Sequence, residues 1–247
     1  MGDRNIMEIR VGTSGYAYKE WKGKFYPEKI SPQEMLHFYS GHLNTVEINN
    51  TFYRMPKEGV LTSWAEQVPG DFLFAVKAPQ VITHLKRLRD VFEETGYLFR
   101  TLSVLDRKLG PLLFQFPRSF RMDRPALQAF LDLIAVNRAC AFEFRSPSWL
   151  EDEILDLLRE RGSSLVIADA DETPAKEIIR TAPWGYLRLR RSDYTDADLL
   201  QWLRRILSQQ WEKAFVFFKH GEEARGPELA VRFRELADSR EKEVFRK

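Results

Sequence analysis

Eight short apolar runs alternate along the chain with longer stretches in which apolar residues recur at helical spacing. Seven of the runs end in a polar or charged residue, and the run over 111–116 has Gln115 just before its last residue. The runs are EIRVGTS (8–14), TVEIN (45–49), FLFAVK (72–77), PLLFQF (111–116), CAFEFR (140–145), SLVIAD (164–169), GYLRLR (185–190) and AFVFFK (214–219). Buried strands that alternate with helices are typical of a parallel sheet covered on both faces.

The number of these strand and helix units predicts the fold class. Eight units in 247 residues favour a single (β/α)8 TIM barrel, an α/β fold with eight parallel strands and outer helices, because this architecture typically needs about 250 residues. The weakest helical pattern covers 174–180, ahead of Pro183. Since no linker or low-complexity segment interrupts the chain, we expect one domain over residues 1–247.

Composition adds limits on partner and compartment. The 38 basic residues nearly balance the 36 acidic ones, so the overall charge does not indicate nucleic-acid binding. A single cysteine, Cys140, cannot form an internal disulfide and suits a reducing compartment. The first residues lack an apolar signal core, and no apolar run approaches the ~20 residues of a membrane helix. We therefore expect a cytoplasmic protein without a membrane partner; the sequence does not indicate its oligomeric state.

The alternation of side chains within each run places polar residues on one face. The residues on this face near the ends of the runs are Glu47, Asn49, Lys77, Gln115, Glu143, Arg145, Asp169, Arg188, Arg190 and Lys219. In a TIM barrel, ligands bind at these carboxyl ends. Five cations against three carboxylates in the set favour an anionic ligand. The alternative is that these charges only pair with one another.

Several motifs resemble the YecE-like family, which is number 72 among the domains of unknown function. They are VGTSGYAYKEWKGKFYP, LNTVEINNTFYRMP, FAVKAPQVITH, LLFQFP, FEFRSPSW and YLRLR, in the family's order from about residue 9 to residue 237. The resemblance implies a TIM barrel with a relation to sugar isomerases, and it implies no established activity. The matching positions are Ser14, Gly15, Trp21, Tyr26, Pro27, Glu47, Asn49, Phe52, Tyr53, Lys77, His84, Gln115, Glu143, Arg145, Trp149, Asp169 and Arg188.

The chain departs from this family pattern at two strand ends. It reads Arg188-Leu189-Arg190-Arg191 where many relatives resemble Arg-Leu-His-Gly, and Phe218-Lys219-His220 where many have an Asn-rich end. Both changes make this chain more cationic, so its ligand need not be the one its relatives share.

Anion binding is the chemistry that these residue types favour most. Arginine offers a planar fork for oxyanions and lysine a point charge, and the loop of residues 12–15 could add backbone amides. The predicted substrate-binding residues are Ser14, Gly15, Trp21, Asn49, Tyr53, His84, Gln115, Arg145, Arg188, Arg190 and Lys219.

Proton transfer is the second predicted role. Glu47, Glu143 and Asp169 are carboxylates on different strands, and a neighbouring arginine or a dry environment could tune any of them for catalysis. Arg145 would keep Glu143 ionised as a base. Lys77 is the fourth catalytic candidate, since a strand-end lysine among cations could form a Schiff base, although anion binding is the favoured role for it.

Metal and nucleic-acid ligands remain open alternatives. We predict no cofactor, but His84 with the three carboxylates could hold Mg²⁺ or Mn²⁺, even though no HxH, HExxH or CxxC spacing occurs. Aromatic residues and lysines alternate over residues 16–26, as in single-stranded nucleic-acid sites. A loop that packs on itself is the simpler explanation, so nucleic acid is not the favoured partner.

These observations favour an enzyme of isomerase or lyase type that acts by proton transfer on a small anionic substrate, such as a phosphorylated or acidic sugar. One alternative is a metal-dependent nuclease or another enzyme that processes nucleic acid. The other is a non-catalytic protein that binds an anionic ligand or nucleic acid.

Overall fold

The computed structural model describes residues 7–175, 177–219 and 222–245. Eight strands alternate with helices as predicted, except that the described residues between β6 and β7 form no helix. The strands are β1 Glu8–Thr13, β2 Thr45–Ile48, β3 Leu73–Lys77, β4 Leu109–Phe116, β5 Cys140–Phe144, β6 Ser164–Asp169, β7 Trp184–Leu189 and β8 Lys213–Phe218. The helices are α1 Met35–His42, α2 Glu58–Gln67, α3 Phe92–Leu102, α4 Arg124–Asp132, α5 Asp152–Glu160, α6 Asp196–Leu207 and α7 Arg225–Phe245.

The strand order confirms the predicted fold class. The sheet runs β1-β8-β7-β6-β5-β4-β3-β2, so strands adjacent in sequence are neighbours. Neighbouring strands pair in parallel, as in β3 with β4 and β7 with β8. This is the topology of a (β/α)8 TIM barrel.

Contacts among Cα atoms divide the chain into two compact units. The first falls within Met1–Val46, Ala168–Ile178 and Pro183–Lys247, and the second within Glu47–Ile167 and Ile179–Ala182. A single domain over the whole chain therefore stays a prediction.

The helix predicted over 174–180 is wrong for the part of that segment that the structure describes. Residues 174, 175 and 177–180 form no helix. Just after them, the Thr181 hydroxyl accepts a hydrogen bond from Leu165 N and donates one to Ser163 O, both at 2.7 Å. These bonds hold the connection along the start of β6, and such anchoring outweighs a weak helical pattern.

Stacked rings in the second unit explain the strand alternation. Phe114 and Phe116 of β4 face Phe142 and Phe144 of β5, and the Phe144 ring stacks on Trp149 with centroids 4.7 Å apart. All but the intermediate Phe144 are buried. Because side chains alternate along a strand, this aromatic layer directs Gln115 and Glu143 to the opposite face of the sheet.

A lysine from the segment before β4 holds the end of α2. Lys108 Nζ donates to Val68 O at 2.8 Å and also to Ala65 O. These carbonyls belong to the end of the helix, where no intrahelical donor is available. The C-terminal turn of α2 is thus completed by a side chain distant in sequence.

Close packing in the first unit explains why β1 carries a glycine. A Cβ atom on Gly12 would lie 2.0 Å from Thr45 O. The hydroxyl of Tyr39 fixes the same region: it accepts a hydrogen bond from Thr13 N at 2.8 Å and donates one to Thr45 O at 3.0 Å. Only glycine fits at this position of β1.

Candidate active site

The fifteen predicted site residues are divided between the two units. Eight of them are in the second unit: Glu47, Asn49, Tyr53, Lys77, His84, Gln115, Glu143 and Arg145. Seven are in the first unit: Ser14, Gly15, Trp21, Asp169, Arg188, Arg190 and Lys219.

Four predicted residues of the second unit form one polar chain across three strands. Lys77 Nζ donates to Gln115 Oε1 at 2.8 Å. The Gln115 amide donates in turn to Glu143 Oε1 at 2.8 Å, and Arg145 Nε lies 3.5 Å from the same oxygen. Gln115 and Glu143 are register partners on β4 and β5, so the sheet itself sets their separation. We call these four residues the relay.

Burial differs sharply between the members of the relay. Gln115 is 3% exposed and Glu143 is 5% exposed, whereas the Arg145 side chain is 48% exposed. A buried carboxylate needs hydrogen bonds and a counter-charge, and Gln115 and Arg145 supply them. The relay thus joins a buried acidic group to a cation that solvent can reach.

The loop after β2 packs against the end of β3. The Thr51 hydroxyl donates to Lys77 O at 2.6 Å, and Lys77 Nζ lies 4.2 Å from the centroid of the Phe52 ring. That ring meets His84 edge-on at 4.8 Å. Lys77 and His84, both predicted to bind the substrate or act on it, therefore flank the same aromatic side chain.

Neighbouring cations and burial act together on His84. Its Nδ1 lies 2.9 Å from the Thr83 hydroxyl. Burial lowers the pKa of His84 below its ordinary 6.5, and the charges of Lys77, Arg145 and Arg87 lower it further. His84 is therefore neutral at pH 7, and positive charge is concentrated around it.

Glu47, Asn49 and Tyr53 lie near the same strand ends in different environments. Glu47 is fully buried, and its Oε1 accepts a hydrogen bond from Asn49 Nδ2 at 3.0 Å. Tyr53, in contrast, is 77% exposed and packs edge-on against Phe52. The burial of Glu47 suits a structural or proton-transferring carboxylate. The exposure of Tyr53 suits a residue that contacts a ligand.

Asp169 of the first unit joins the ends of β6 and β7. Its Oδ2 accepts a hydrogen bond from the Tyr194 hydroxyl at 2.8 Å and lies 3.3 Å from Arg191 Nε. Its Oδ1 accepts from Ala175 N at 2.9 Å, and its carbonyl accepts from Arg190 N at 2.7 Å. These bonds give Asp169 a structural role; its predicted catalytic role stays a prediction.

Tyr194 and Arg191 were absent from the predicted set. The predicted Arg190 contacts Asp169 through its backbone, whereas the Arg191 side chain makes the ion pair, because β7 ends at Leu189 and the strand alternation stops there. In the sequence, the two adjacent arginines, Arg190 and Arg191, were the feature that could have pointed to this ion pair. Burial is the main reason that the pKa of Tyr194 is raised, and its hydrogen bond to Asp169 adds to the effect.

The residues predicted at the end of β1 make extensive internal contacts. Ser14 N donates to Phe218 O at 2.9 Å, and Thr13 N donates to Tyr39. Two of the backbone amides in residues 12–15, which were expected to bind an anion, therefore already have hydrogen-bond partners. Gly15 has a φ of 91°, and Tyr18 packs against it.

Trp21 is completely buried. Its ring lies among Tyr18, Phe25 and Tyr26, with centroids 4.8 to 5.9 Å away. A direct contact between Trp21 and a ligand would require this aromatic cluster to open.

Arg188 and Lys219 differ in accessibility. Arg188 is 2% exposed within β7. Lys219 is exposed and lines a cavity of about 390 Å³ with Arg191 and Arg225. Arg225 is held by Asp193 at 2.6 Å. The neighbouring His220 lies outside the described residues.

The described part of the chain contains neither a cluster of metal-ligating side chains nor a membrane-spanning helix. Over residues 7–175, 177–219 and 222–245, no group of three or more His, Cys, Asp and Glu side chains is arranged to hold a metal ion. No helix in the same ranges has the length and apolar character needed to span a bilayer. The expectation of Mg²⁺ or Mn²⁺ as an alternative ligand stays untested.

Fold and strand-end polar residues define a TIM-barrel protein with a candidate active site at the carboxyl ends of its strands. The model for "Protein of unknown function DUF72" matches residues 10–247, and the chain belongs to this family. The YecE-like resemblance expected from the motifs is thereby confirmed.

Two curated relatives are similar over part of their length. The UPF0759 protein YecE of Escherichia coli (strain K12) is 33% identical over 154 residues, which are 58% of this chain and 57% of that protein. The UPF0759 protein YunF of Bacillus subtilis is 28% identical over 166 residues, 62% of this chain and 58% of that protein. The match thus spans less than two thirds of either relative.

Two crystal structures share the fold over nearly the whole chain. A DUF72 family protein from Thermotoga maritima has a TM-score of 0.82 at 26% identity, covering 94% of this chain and 99% of that one. A DUF72 family protein from Enterococcus faecalis has a TM-score of 0.70 at 20% identity, covering 95% and 99%. The second likeness concerns the fold alone.

Proposed function

We propose that this protein is an enzyme of isomerase or lyase type, which transfers a proton on a small anionic substrate such as a phosphorylated or acidic sugar. The observation that carries the proposal is the relay, in which a buried carboxylate is tied to two cations at the carboxyl ends of β3, β4 and β5. Strand ends are where TIM-barrel enzymes bind their substrates.

Glu143 is the proposed general base. Gln115 and Arg145 both reach its Oε1, which fixes the orientation of the carboxylate and favours its charged form. A fixed carboxylate can remove a proton from a substrate carbon and return it to a neighbouring atom, which is the elementary step of isomerisation and elimination.

Lys77 and Arg145 are the proposed anion-binding groups. Lys77 donates to Gln115 and lies over the Phe52 ring, and both contacts favour the ammonium form. They support anion binding over Schiff-base chemistry, which needs a neutral amine. Arg145 adds an accessible guanidinium, and the exposed Tyr53 beside Phe52 offers a surface for a sugar ring.

Glu47 of the second unit is proposed as a further acid–base group. For the first unit, substrate contacts by Ser14, Gly15, Arg188, Arg190 and Lys219 and an acid–base role of Asp169 stay predictions. A cytoplasmic location is proposed on the strength of the single cysteine, Cys140, which is buried as a free thiol.

A thermal-shift screen tests the substrate class. The panel contains phosphosugars, sugar acids, nucleotides, oligonucleotides, Mg²⁺ and Mn²⁺. A ligand at 100 times its dissociation constant adds about 2.7 kcal/mol of stability, which gives a clear shift of Tm. We expect selective stabilisation by one small phosphorylated or carboxylated sugar. Stabilisation by oligonucleotides alone would favour the nucleic-acid alternative instead.

Variants separate binding from catalysis. Lys77→Met and Arg145→Gln should abolish the shift, and the exposed control variants Lys29→Met and Arg100→Gln should keep it. Glu143→Gln should retain binding while turnover of the identified ligand, followed by NMR exchange of its carbon-bound protons with D₂O, is lost. If the parent protein binds the ligand without any exchange or conversion, the non-catalytic alternative is correct.

A further inference from the structure

A second cationic feature of the second unit lies outside the relay. A shallow cavity of about 600 Å³ is formed by the loops after β3 and β4 and by the start of α4. Four arginines line it, and one carboxylate does: Arg87, Arg89, Arg121, Arg124 and Asp123. We call it the arginine groove; its lining charges sum to +3.

Ion pairs offset only part of this charge. Arg89 is paired with Asp123 at 2.6 Å and Arg124 with Glu153 at 3.2 Å. Arg87 reaches the hydroxyl of Ser119 at 3.5 Å, a neutral partner. Exposed ion pairs of this kind contribute little free energy, so an incoming dianion can compete for the guanidinium groups.

Arg121 completes the groove as an accessible cation. Its side chain is exposed, and among the described residues no carboxylate lies within 4.0 Å of its guanidinium. It can therefore turn toward a ligand without breaking an ion pair.

The loop after β4, which forms one side of the groove, is held in place by residues that follow β5. Trp149 Nε1 donates to Phe120 O at 2.8 Å, and the Ser148 hydroxyl accepts from Met122 N at 3.0 Å. The Phe120 ring is buried edge-on against Trp149. A loop fixed in this way presents its charges with little further loss of conformational entropy on binding.

The β3 side of the groove has a strained backbone. Arg87, Leu88 and Asp90 have φ values of 50°, 69° and 51°, in the left-handed region that non-glycine residues rarely occupy. Leu88 is buried, and its N–H donates to Ile82 O at 2.9 Å. Such strain is typical of functional loops, and here it directs two arginines into one groove.

We propose that the arginine groove binds the phosphate group of a small phosphate ester. Planar guanidinium forks match phosphate oxygens and can contact them in pairs. Four arginines that line one groove suit a phosphate dianion better than a carboxylate with a single charge. A nucleic-acid strand fits less well, because the only aromatic ring of the groove, Phe120, is buried and cannot stack on a base.

The loop after β3 connects the groove to the relay. Arg87 follows His84 by three residues, and the His84 ring packs on Phe52, which Lys77 contacts. Within the proposed function, the groove therefore favours a phosphorylated substrate. This assignment of the ligand as substrate rests on the proposed function, whereas phosphate binding by the groove does not.

Calorimetric titration with inorganic phosphate at low ionic strength tests the groove. The parent protein should bind phosphate, and the double variant Arg87→Gln/Arg121→Gln should bind it about tenfold more weakly. The matched double variant Arg100→Gln/Arg204→Gln removes the same charge from exposed helix positions and should bind as the parent does. Circular dichroism and Tm establish that both variants are folded.

A second pair of variants distinguishes the groove from the relay. Because the groove holds the phosphate, Lys77→Met/Arg145→Gln should weaken phosphate binding less than the groove variant Arg87→Gln/Arg121→Gln does. If this variant loses phosphate binding and the groove variant keeps it, the groove proposal is overturned while the proposed function stands. If the groove variant and its matched control weaken phosphate binding equally, the loss is due to net charge alone and the groove proposal is overturned. Binding of a (dT)10 oligonucleotide without binding of phosphate would also overturn the groove proposal.

Discussion

The side-chain amide of Gln115 donates a 2.8 Å hydrogen bond to Glu143 Oε1, and the two residues are register partners on neighbouring strands. Lys77 donates to the oxygen of the same amide. An amide that both accepts from a lysine and donates to a glutamate holds two opposite charges apart while satisfying each of them. It thereby keeps the proposed base, Glu143, apart from the proposed anion-binding group, Lys77.

Replacing Gln115 by leucine tests this bridging role. Gln115→Leu removes the hydrogen bonds that Gln115 makes with buried Glu143 and with Lys77, so the free energy of unfolding should fall by about 1–3 kcal/mol. Urea unfolding at pH 7 measures it. Gln33→Leu on the exposed surface is the control, expected within about 0.5 kcal/mol of the parent. A loss for Gln115→Leu no greater than that of the control would contradict the bridging role.

Titration of His84 reports on the charge around the relay. Because burial and neighbouring cations lower its pKa, the unfolded chain takes up the proton first as the pH falls below 6.5. Stability contributed by neutral His84 is thus complete above pH 6.5 and is lost as the pH falls through the lower, folded-state pKa. NMR titration of the ring protons should show the pKa rising in Lys77→Met and unchanged in Lys29→Met. An unaltered pKa in Lys77→Met would exclude the electrostatic coupling.

The start of α6 gives a stability prediction in the first unit. The Thr195 hydroxyl accepts from Asp198 N at 3.2 Å, and the Asp198 carboxylate accepts from Thr195 N at 2.9 Å, which is a capping box. The Thr195 hydroxyl also donates to Asp198 Oδ2 at 2.6 Å, and this bond, with those from Thr195 N and Arg191, lowers the pKa of Asp198 to about 2. Thr195→Ala should cost about 1 kcal/mol in unfolding free energy and raise this pKa. Thr195→Ser should retain both properties; a Ser variant as unstable as the Ala variant would rule out the cap.

Gly12 is predicted to tolerate no side chain. A Cβ would meet the Thr45 carbonyl oxygen at 2.0 Å, and backbone cannot move aside as a flexible side chain can. Gly12→Ala should therefore destabilise the protein by about 3 kcal/mol or more, measured by chemical unfolding. The comparison is Gly59→Ala in α2, where open space surrounds the new methyl group and a gain of up to about 1 kcal/mol is expected. Similar results for both variants would mean that Gly12 is not closely packed.

The sequence predicted the strands and the side of the sheet that carries the relay. The reason is physical: residues of period two on a strand must alternate between faces, and the large rings at 114, 116, 142 and 144 can only be accommodated on the helix side. Gln115 and Glu143 then have to lie opposite them. The hydrogen bonds of the relay depend on the register between neighbouring strands, and the sequence alone does not predict that register.

Features beyond the strand ends were not predictable in this way. Arg191 rather than Arg190 pairs with Asp169 because the alternation ends with β7. The extended connection that replaces the helix expected over 174–180 depends on the hydroxyl of Thr181. The arginine groove combines two loops without periodicity, and only their folded positions bring Arg87 near Ser119. Loops take their conformation from tertiary contacts that no local pattern encodes.

The bonds from Lys108 to the end of α2 have a consequence for the order in which the chain matures. Val68 O and Ala65 O receive their donor from a residue that the ribosome adds about forty positions later. Until then, water must solvate these carbonyls, and the last turn of α2 has no cap of its own. A nascent chain that stops short of Lys108 would therefore carry a frayed second helix, and synthesis of the segment before β4 is the event that finishes it.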